Sequence, residues 1–199
     1  MKEIYLSQLR DPARSPAEFR RATALLAALL AAEAGNFLES KQTSVQTPFE
    51  ETKGALWAHG LLIVPILRAG LALLPPFLEL FPHGKIGLIG LRRERAGSSP
   101  EICYRALPSC NPEDEVLLLD PMIATGRTGC RAIRALLEAG AQEERILLIS
   151  ILSAPEGVQR IETEFPSVRL HVAQEDRELN EEGFILPGIG DFGDRYFDA

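Results

Sequence analysis

The chain has 199 residues, of which 46% are hydrophobic and 25% charged, with a formal net charge of −7. That length and apolar content suit one globular domain with a substantial core, and the scattered lysines and arginines of an acidic chain argue against nucleic acid as the main partner. No run reaches the ~18 consecutive apolar residues of a membrane span, no apolar signal region follows the N-terminus, and Cys103, Cys110 and Cys130 with His59, His83 and His171 show no disulfide or metal-site spacing, so the expectation is a cytoplasmic protein, free of membrane, with reduced thiols and no protein metal site.

Residues 1–14 read as an irregular leader, after which Ser15-Pro16-Ala17-Glu18 has the form of a capping box with proline at the first helical position. Phe19, Ala22, Leu26, Leu29 and Leu30 share one face up to Gly35, which predicts a packing helix. The threonine-rich run 40–53 alternates weakly with period two, as an exposed β arm or loop does. Residues 60–66 form a buried strand leading through Leu67-Arg68-Ala69-Gly70 into a helix that Pro75-Pro76 should shorten. Residues 85–91 form a third strand, and residues 92–100 a charged, Gly- and Ser-rich loop of a kind that moves easily. Further on come strand 145–152, helix 155–164 and strand 168–173, while the chain after Phe184, rich in Gly, Pro and aromatics, reads as too irregular for a core element. Strands alternating with helices imply an α/β fold, a mostly parallel central sheet with helices on both faces and ligands at the carboxyl ends of its strands. Arg68, Arg93 and Asp120 all fall at such ends.

Between these elements lies the stretch that carries chemistry. Val116 to Leu119 form an apolar run of the kind buried on both sheet faces, ending on Asp120-Pro121. The polar loop that follows turns helical from Thr128, with Ile133, Leu136 and Leu137 on one face and Gly140 closing the helix. The first N–H groups of a helix have no internal partner and lie at the positive end of its dipole, so this junction can receive a phosphate. Thr125 and Thr128 add hydroxyl donors, and Gly126 and Gly129 allow close approach of the backbone. Glycine and threonine also serve such turns for geometry alone. A nucleotide-triphosphatase P-loop is excluded, because it needs Gly-Lys followed by Ser or Thr and no lysine stands here.

Asp120-Pro-Met-Ile-Ala-Thr-Gly-Arg-Thr resembles the phosphoribosyl pyrophosphate (PRPP) loop of uracil phosphoribosyltransferases, usually Asp-Pro-Met-Leu-Ala-Thr-Gly-Gly-Ser. Val64-Pro-Ile-Leu-Arg-Ala-Gly-Leu71 and Gly183-Phe-Ile-Leu-Pro-Gly-Ile-Gly-Asp-Phe-Gly-Asp-Arg-Tyr-Phe197 match the same family, with Ser153-Ala-Pro-Glu-Gly157 and Leu179-Asn180 between them in the family's order. The resemblance implies a type I phosphoribosyltransferase domain: an N-terminal helix and arm over about 1–58, a core over about 59–175 and a small C-terminal hood over about 176–199. It implies transfer of phosphoribosyl from PRPP to uracil, giving UMP and pyrophosphate, in pyrimidine salvage. Mg²⁺ would be bound mainly through PRPP rather than in a protein cage. GTP binding and assembly as a homodimer or larger homo-oligomer are also implied.

Position by position, the resemblance makes Arg68 the arginine of the pyrophosphate loop and Arg93 the arginine that opens the mobile loop and reaches the phosphates, both suited to bidentate phosphate contact. Asp120 and Asp191 are the catalytic positions. Asp120 accepts from the ribose hydroxyls, and Pro121, Met122, Ile123, Ala124, Thr125, Gly126, Arg127 and Thr128 form the loop around the 5-phosphate. Asp191 contacts the ribosyl substrate, and main-chain groups of Ile185, Gly190 and Phe192 read the uracil edge. The chain departs from the pattern at Arg127, where a second loop glycine is usual, at Arg95-Ala96-Gly97, where Glu-Glu-Thr is common, and at Phe192, where a small residue is usual. Two other functions stay open on sequence: a catalytically weak sensor of PRPP or a nucleotide, and a transferase for another base.

Overall fold

Strands that are apolar on both faces need cover on both sides, and this requirement shapes the molecule. The computed structural model describes residues 1–92 and 100–198. Helices α1 (Lys2–Arg10) and α2 (Pro16–Ala34) come first, followed by a hairpin of β1 (Ser40–Gln46) and β2 (Glu51–Trp57). Next are β3 (Leu61–Leu67), α3 (Leu74–Leu80), β4 (Lys85–Ile86), β5 (Leu88–Arg92), β6 (Glu101–Ala106), β7 (Glu115–Leu119) and β8 (Met122–Ile123). The chain continues through α4 (Arg127–Glu138), β9 (Ile146–Ser153), α5 (Pro155–Glu164) and β10 (Arg169–Glu175), and ends with β11 (Glu178–Leu179), β12 (Ile185–Leu186) and α6 (Phe192–Phe197). The main sheet runs β10-β9-β7-β3-β5-β6, with β4 on β3 and β8 on β9. Its pairings are parallel except for β6, which lies antiparallel on β5.

Alternate side chains of the central strands enter two separate cores. Leu117, Leu119, Leu147 and Ile149 join α1, α2 and α3 on one face. Val116, Leu118, Ile146 and Leu148 join α4 and α5 on the other. Helix α2 is set by the predicted capping box: the Glu18 amide donates to Ser15 Oγ at 3.4 Å, and the Ser15 amide donates to Glu18 Oε2 at 2.9 Å. Its small residues Ala22, Ala27 and Ala31 are fully buried and let the helix lie close on its neighbours. Among the described residues no helix is long and apolar enough to cross a membrane.

Several expectations need correction. Residues 2–10, read as an irregular leader, form α1. Only Leu6 and Leu9 are buried there, too few to announce a helix by periodicity, and tertiary contacts hold it in place. The arm is an ordered hairpin that extends to Trp57, turned by Thr47 Oγ1, which accepts from the Phe49 and Glu50 amides at 3.2 and 3.0 Å. Pro75 and Pro76 fall in the first turn of α3, where their missing N–H groups matter least, rather than cutting it short at its end. The third strand is two pieces interrupted at Gly87, where a side chain would meet Leu107 at 2.7 Å. Edge strand β6 was not foreseen, because its residues are mostly exposed and carry no apolar face.

The largest correction concerns the C-terminus. Ile185, Ile189 and Phe192 are each 3% exposed and belong to the same core as α1 and α2. The hood is therefore part of the folded core, and cutting the chain after Gly183 would uncover it rather than leave an intact remainder. The charged loop with Arg93 and Arg95-Ala96-Gly97 lies outside the described residues.

Candidate active site

The carboxyl ends of β3, β5 and β7 open into a cleft of about 660 Å³. Arg68 follows β3 through a cis Leu67–Arg68 peptide and is exposed at the cleft wall. Its guanidinium lies over the Phe197 ring, 5.4 Å from the centroid. Met122 and Ala124 form the floor, and Ile185, Gly190, Asp191 and Phe192 form the opposite wall. Three distant stretches thus meet at one place, with seven of the expected residues on one surface.

The 120–128 loop forms an adjoining hollow that shares Met122 and Ala124 with the cleft and is lined also by Asp120, Ile123, Thr125, Gly126 and Thr128. Asp120 is buried at the end of β7, and its amide donates to Ile149 O at 3.1 Å, which ties it to β9. Gly126 has φ +74°, and a Cβ there would stand 2.5 Å from Gly157 O. Gly157 in turn presses on Ala124 O, at 2.3 Å from where its own Cβ would be. The loop is thus braced by the first turn of α5, and Arg160 Nε adds a bond to Thr125 O at 2.7 Å. Thr128 lines this hollow at the start of α4, where the positive end of the helix dipole favours an anion.

Not every expected residue reaches the cleft. Pro121 is buried, and its carbonyl accepts from the Ile151 and Leu152 amides at 3.1 Å each, so its part is to splice the loop onto β9. Ile123 packs in the core beneath α4, and its carbonyl accepts from the Ala154 amide at 2.9 Å. Arg127 begins α4 and lines a different depression, with Arg131, Arg134 and Arg160. Gly129 serves packing rather than anion approach, since its missing Cβ faces Ile161 and Leu148. Arg93 lies outside the described residues.

The departure at Phe192 has a physical explanation. Its side chain points into the core, stacked on Tyr196 with centroids 5.6 Å apart and edge-on to Phe19 at 5.4 Å, so a large residue there leaves the cleft-facing backbone unobstructed. Asp191 caps α6 by accepting from the Asp194 amide at 2.9 Å.

Sequence reasoning missed the residues that hold this wall in place. Arg195 donates to the carbonyls of Leu9, Ile189 (2.8 Å) and Asp11 (2.7 Å), with its guanidinium 4.4 Å from the Phe19 ring centroid. Arg10 donates to both oxygens of the buried Asp176. Burial opposes ionisation of Asp176, yet the Arg10 guanidinium and the Gly188 amide hold its carboxyl below the usual carboxylate range. No local signal marks such pairs. Phe197, also unassigned on sequence, stood within a recognised motif.

The uracil phosphoribosyltransferase family model matches residues 2–199. Among curated relatives, the uracil phosphoribosyltransferase of Campylobacter fetus subsp. fetus is 40% identical over 99% of this chain and 93% of its own. That of Thermus thermophilus is 40% identical over 96% and 92%, and that of Thermococcus gammatolerans 36% over 98% and 88%. In solved structures, the AQ2163 protein from Aquifex aeolicus superposes with a TM-score of 0.90 at 31% identity, covering 98% of this chain and 93% of that one. An orotate phosphoribosyltransferase from Aeropyrum pernix, at 16% identity and a TM-score of 0.50, shares the fold over 76% of this chain and 70% of its own. With a family match across nearly its whole length and relatives of this similarity, the chain belongs to the uracil phosphoribosyltransferase family.

Proposed function

We propose that this chain transfers the phosphoribosyl group of PRPP to N1 of uracil, forming UMP and pyrophosphate. The observation that carries the reading is the meeting, at one cleft, of the 120–128 loop, Arg68 and the backbone of the C-terminal wall. In the reaction the bond from ribose C1′ to a pyrophosphate oxygen breaks, that oxygen keeping the electron pair, C1′ bonds to uracil N1, and the N1 proton passes to solvent. Negative charge grows on the leaving group while the ribose carbon becomes cation-like, so donors fixed toward the phosphates and carboxylates near the ribose both lower the barrier.

Each part has its assignment. The amides at the start of α4, with Thr125 and Thr128, hold the 5-phosphate, and Asp120 accepts from the ribose hydroxyls. Arg68 meets the pyrophosphate, and the Phe197 ring gives its guanidinium an apolar seat within the cleft. Main-chain groups of Ile185, Gly190 and Phe192 read the pyrimidine edge, which fixed donors and acceptors do without ordering side chains. One Asp191 oxygen is engaged as the helix cap and the other is assigned to the ribosyl group. Mg²⁺ suits a site whose chain donors are the hard carboxylate oxygens of Asp120 and Asp191, and it would be carried by PRPP with few protein ligands. When bound it supplies neutralisation of pyrophosphate charge.

Assembly as a homodimer or larger homo-oligomer belongs to the same proposal. It is supported by the hairpin, where Phe49 is 95% exposed and Val45 and Leu56, which share one face, are also exposed, apolar groups of the kind that contacts between chains cover. Pyrimidine salvage in the cytoplasm and GTP binding complete the reading. Incubation of the protein with PRPP, Mg²⁺ and radiolabelled uracil tests its core: labelled UMP is expected, and its absence with a folded protein contradicts it.

A further inference from the structure

We infer that Arg10 and Asp176 are positioning residues that set the wall of the cleft assigned to the base, so that helix α1 governs uracil affinity without touching the substrate. The geometry forms a closed circuit. Arg10 Nη1 donates to Asp176 Oδ2 at 2.8 Å and Nη2 to Asp176 Oδ1 at 2.6 Å. The same Nη1 donates to Gly188 O at 2.8 Å, while the Gly188 amide donates to Asp176 Oδ2 at 2.9 Å. Both polar groups of the Gly188 backbone are thereby fixed by one side-chain pair. Gly188 has φ +64°, and a Cβ there would stand 2.0 Å from Ile185 O, so the turn is closed on itself and moves as a unit.

That unit lies between two of the groups assigned to uracil, three residues after Ile185 and two before Gly190. The clamp is also referred to the sheet, because the Asp176 amide donates to Ser153 O at 2.9 Å, at the carboxyl end of β9. Asp176 is 7% exposed, and an ion pair removed from water is weak evidence for stability as such but a precise way to fix register. A backbone that reads a planar base edge loses both its donor and its acceptor when the turn shifts by a fraction of an ångström, whereas the 120–128 loop and Arg68 are held by other contacts. The inference rests on assigning base recognition to the hood.

Steady-state kinetics with each substrate varied in turn, alongside thermal unfolding, test it on the full chain. Asp176→Asn removes the charge that binds Arg10 and the Gly188 amide. Arg10→Lys keeps a cation beside the buried carboxylate, and hence the fold, but a single ammonium lacks the fork that spans Asp176 and Gly188 O. The expected result is a rise in KM for uracil of tenfold or more in Asp176→Asn and of threefold or more in Arg10→Lys, with KM for PRPP within threefold of the parent in both. An unchanged uracil KM, or equal rises for both substrates, overturns the inference and leaves the pair a structural brace. Should Asp176→Asn fail to fold, Arg10→Lys decides alone. Gly190→Ala, at φ +76°, is the control for the underlying assignment. If it leaves the uracil KM unchanged, base recognition by the hood is wrong. If it raises that KM while the clamp variants do not, only the clamp is wrong.

Discussion

Gly126→Ala puts the architecture of the 120–128 loop to a quantitative test. The residue sits at φ +74°, where an L side chain costs roughly 1–2 kcal/mol in backbone strain. The new methyl would also stand 2.5 Å from Gly157 O, with Gly157 Cα and C at 3.2 Å, so it meets backbone on the first turn of α5 rather than a flexible side chain. Relieving that contact means moving two helix starts apart, an overpacking cost of about 1–3 kcal/mol. The sum is a loss of ~2–5 kcal/mol in urea unfolding at neutral pH, accompanied by weaker PRPP binding, because the displaced backbone carries the amides assigned to the phosphate. Gly129→Ala is the internal control. Its methyl would meet only the ends of Ile161 and Leu148, at 3.2 and 3.4 Å, within a helix where alanine is favoured by about 1 kcal/mol. It should therefore leave stability within about 1 kcal/mol of the parent. A Gly126→Ala protein within about 0.5 kcal/mol of the parent and with unchanged PRPP kinetics would refute both the strain and the close-packing arguments.

Other consequences can be measured separately. Asp120→Asn keeps the shape of a buried side chain and removes the charge that favours ribose hydroxyl donors, so PRPP binding or turnover should fall by ~1.5–3 kcal/mol in kcat/KM; unchanged kinetics would take Asp120 out of the site. Arg127→Gly should leave KM for PRPP within a few-fold, since Arg127 begins α4 with no positive φ that demands glycine. A tenfold rise, about 1.4 kcal/mol if KM reports binding, would instead make this arginine a phosphate ligand. For pH, Asp176 has a folded-state pKa below its unfolded value of ~3.9, so its contribution is present above that value and disappears as pH falls through the folded one. The stability gap between the parent and Asp176→Asn should hold from pH 7 to pH 5 and narrow below about pH 4; a gap independent of pH would contradict the assignment.

What could be read from sequence divides along physical lines. Strands β3, β7 and β9 were legible because burial on both faces demands unbroken apolar runs, and α2 because its capping box is a local signature. The strand, turn and helix around 120–128 were legible because an apolar run, a turn with glycine and threonine and an amphipathic stretch follow one another. Helix α1 was not, since two buried leucines make no period, and its worth lies in Arg10 meeting Asp176 across 166 positions. The hood's short Gly- and Pro-rich motif revealed its place in the site but concealed its burial, because Ile185, Ile189 and Phe192 reach the core from turns rather than from a periodic element. Gly126 was noted for its freedom near an anion, while its contact with Gly157 belongs to tertiary packing that no local pattern encodes.

Product formation with competing bases tests uracil transfer against the alternatives. The protein is incubated with PRPP and Mg²⁺ and with radiolabelled uracil, hypoxanthine, guanine or orotate in separate reactions, and the nucleotide is resolved chromatographically. UMP is expected from uracil, with no comparable nucleotide from the other three. PRPP binding without turnover of any base, or preferred use of a base other than uracil, would contradict it.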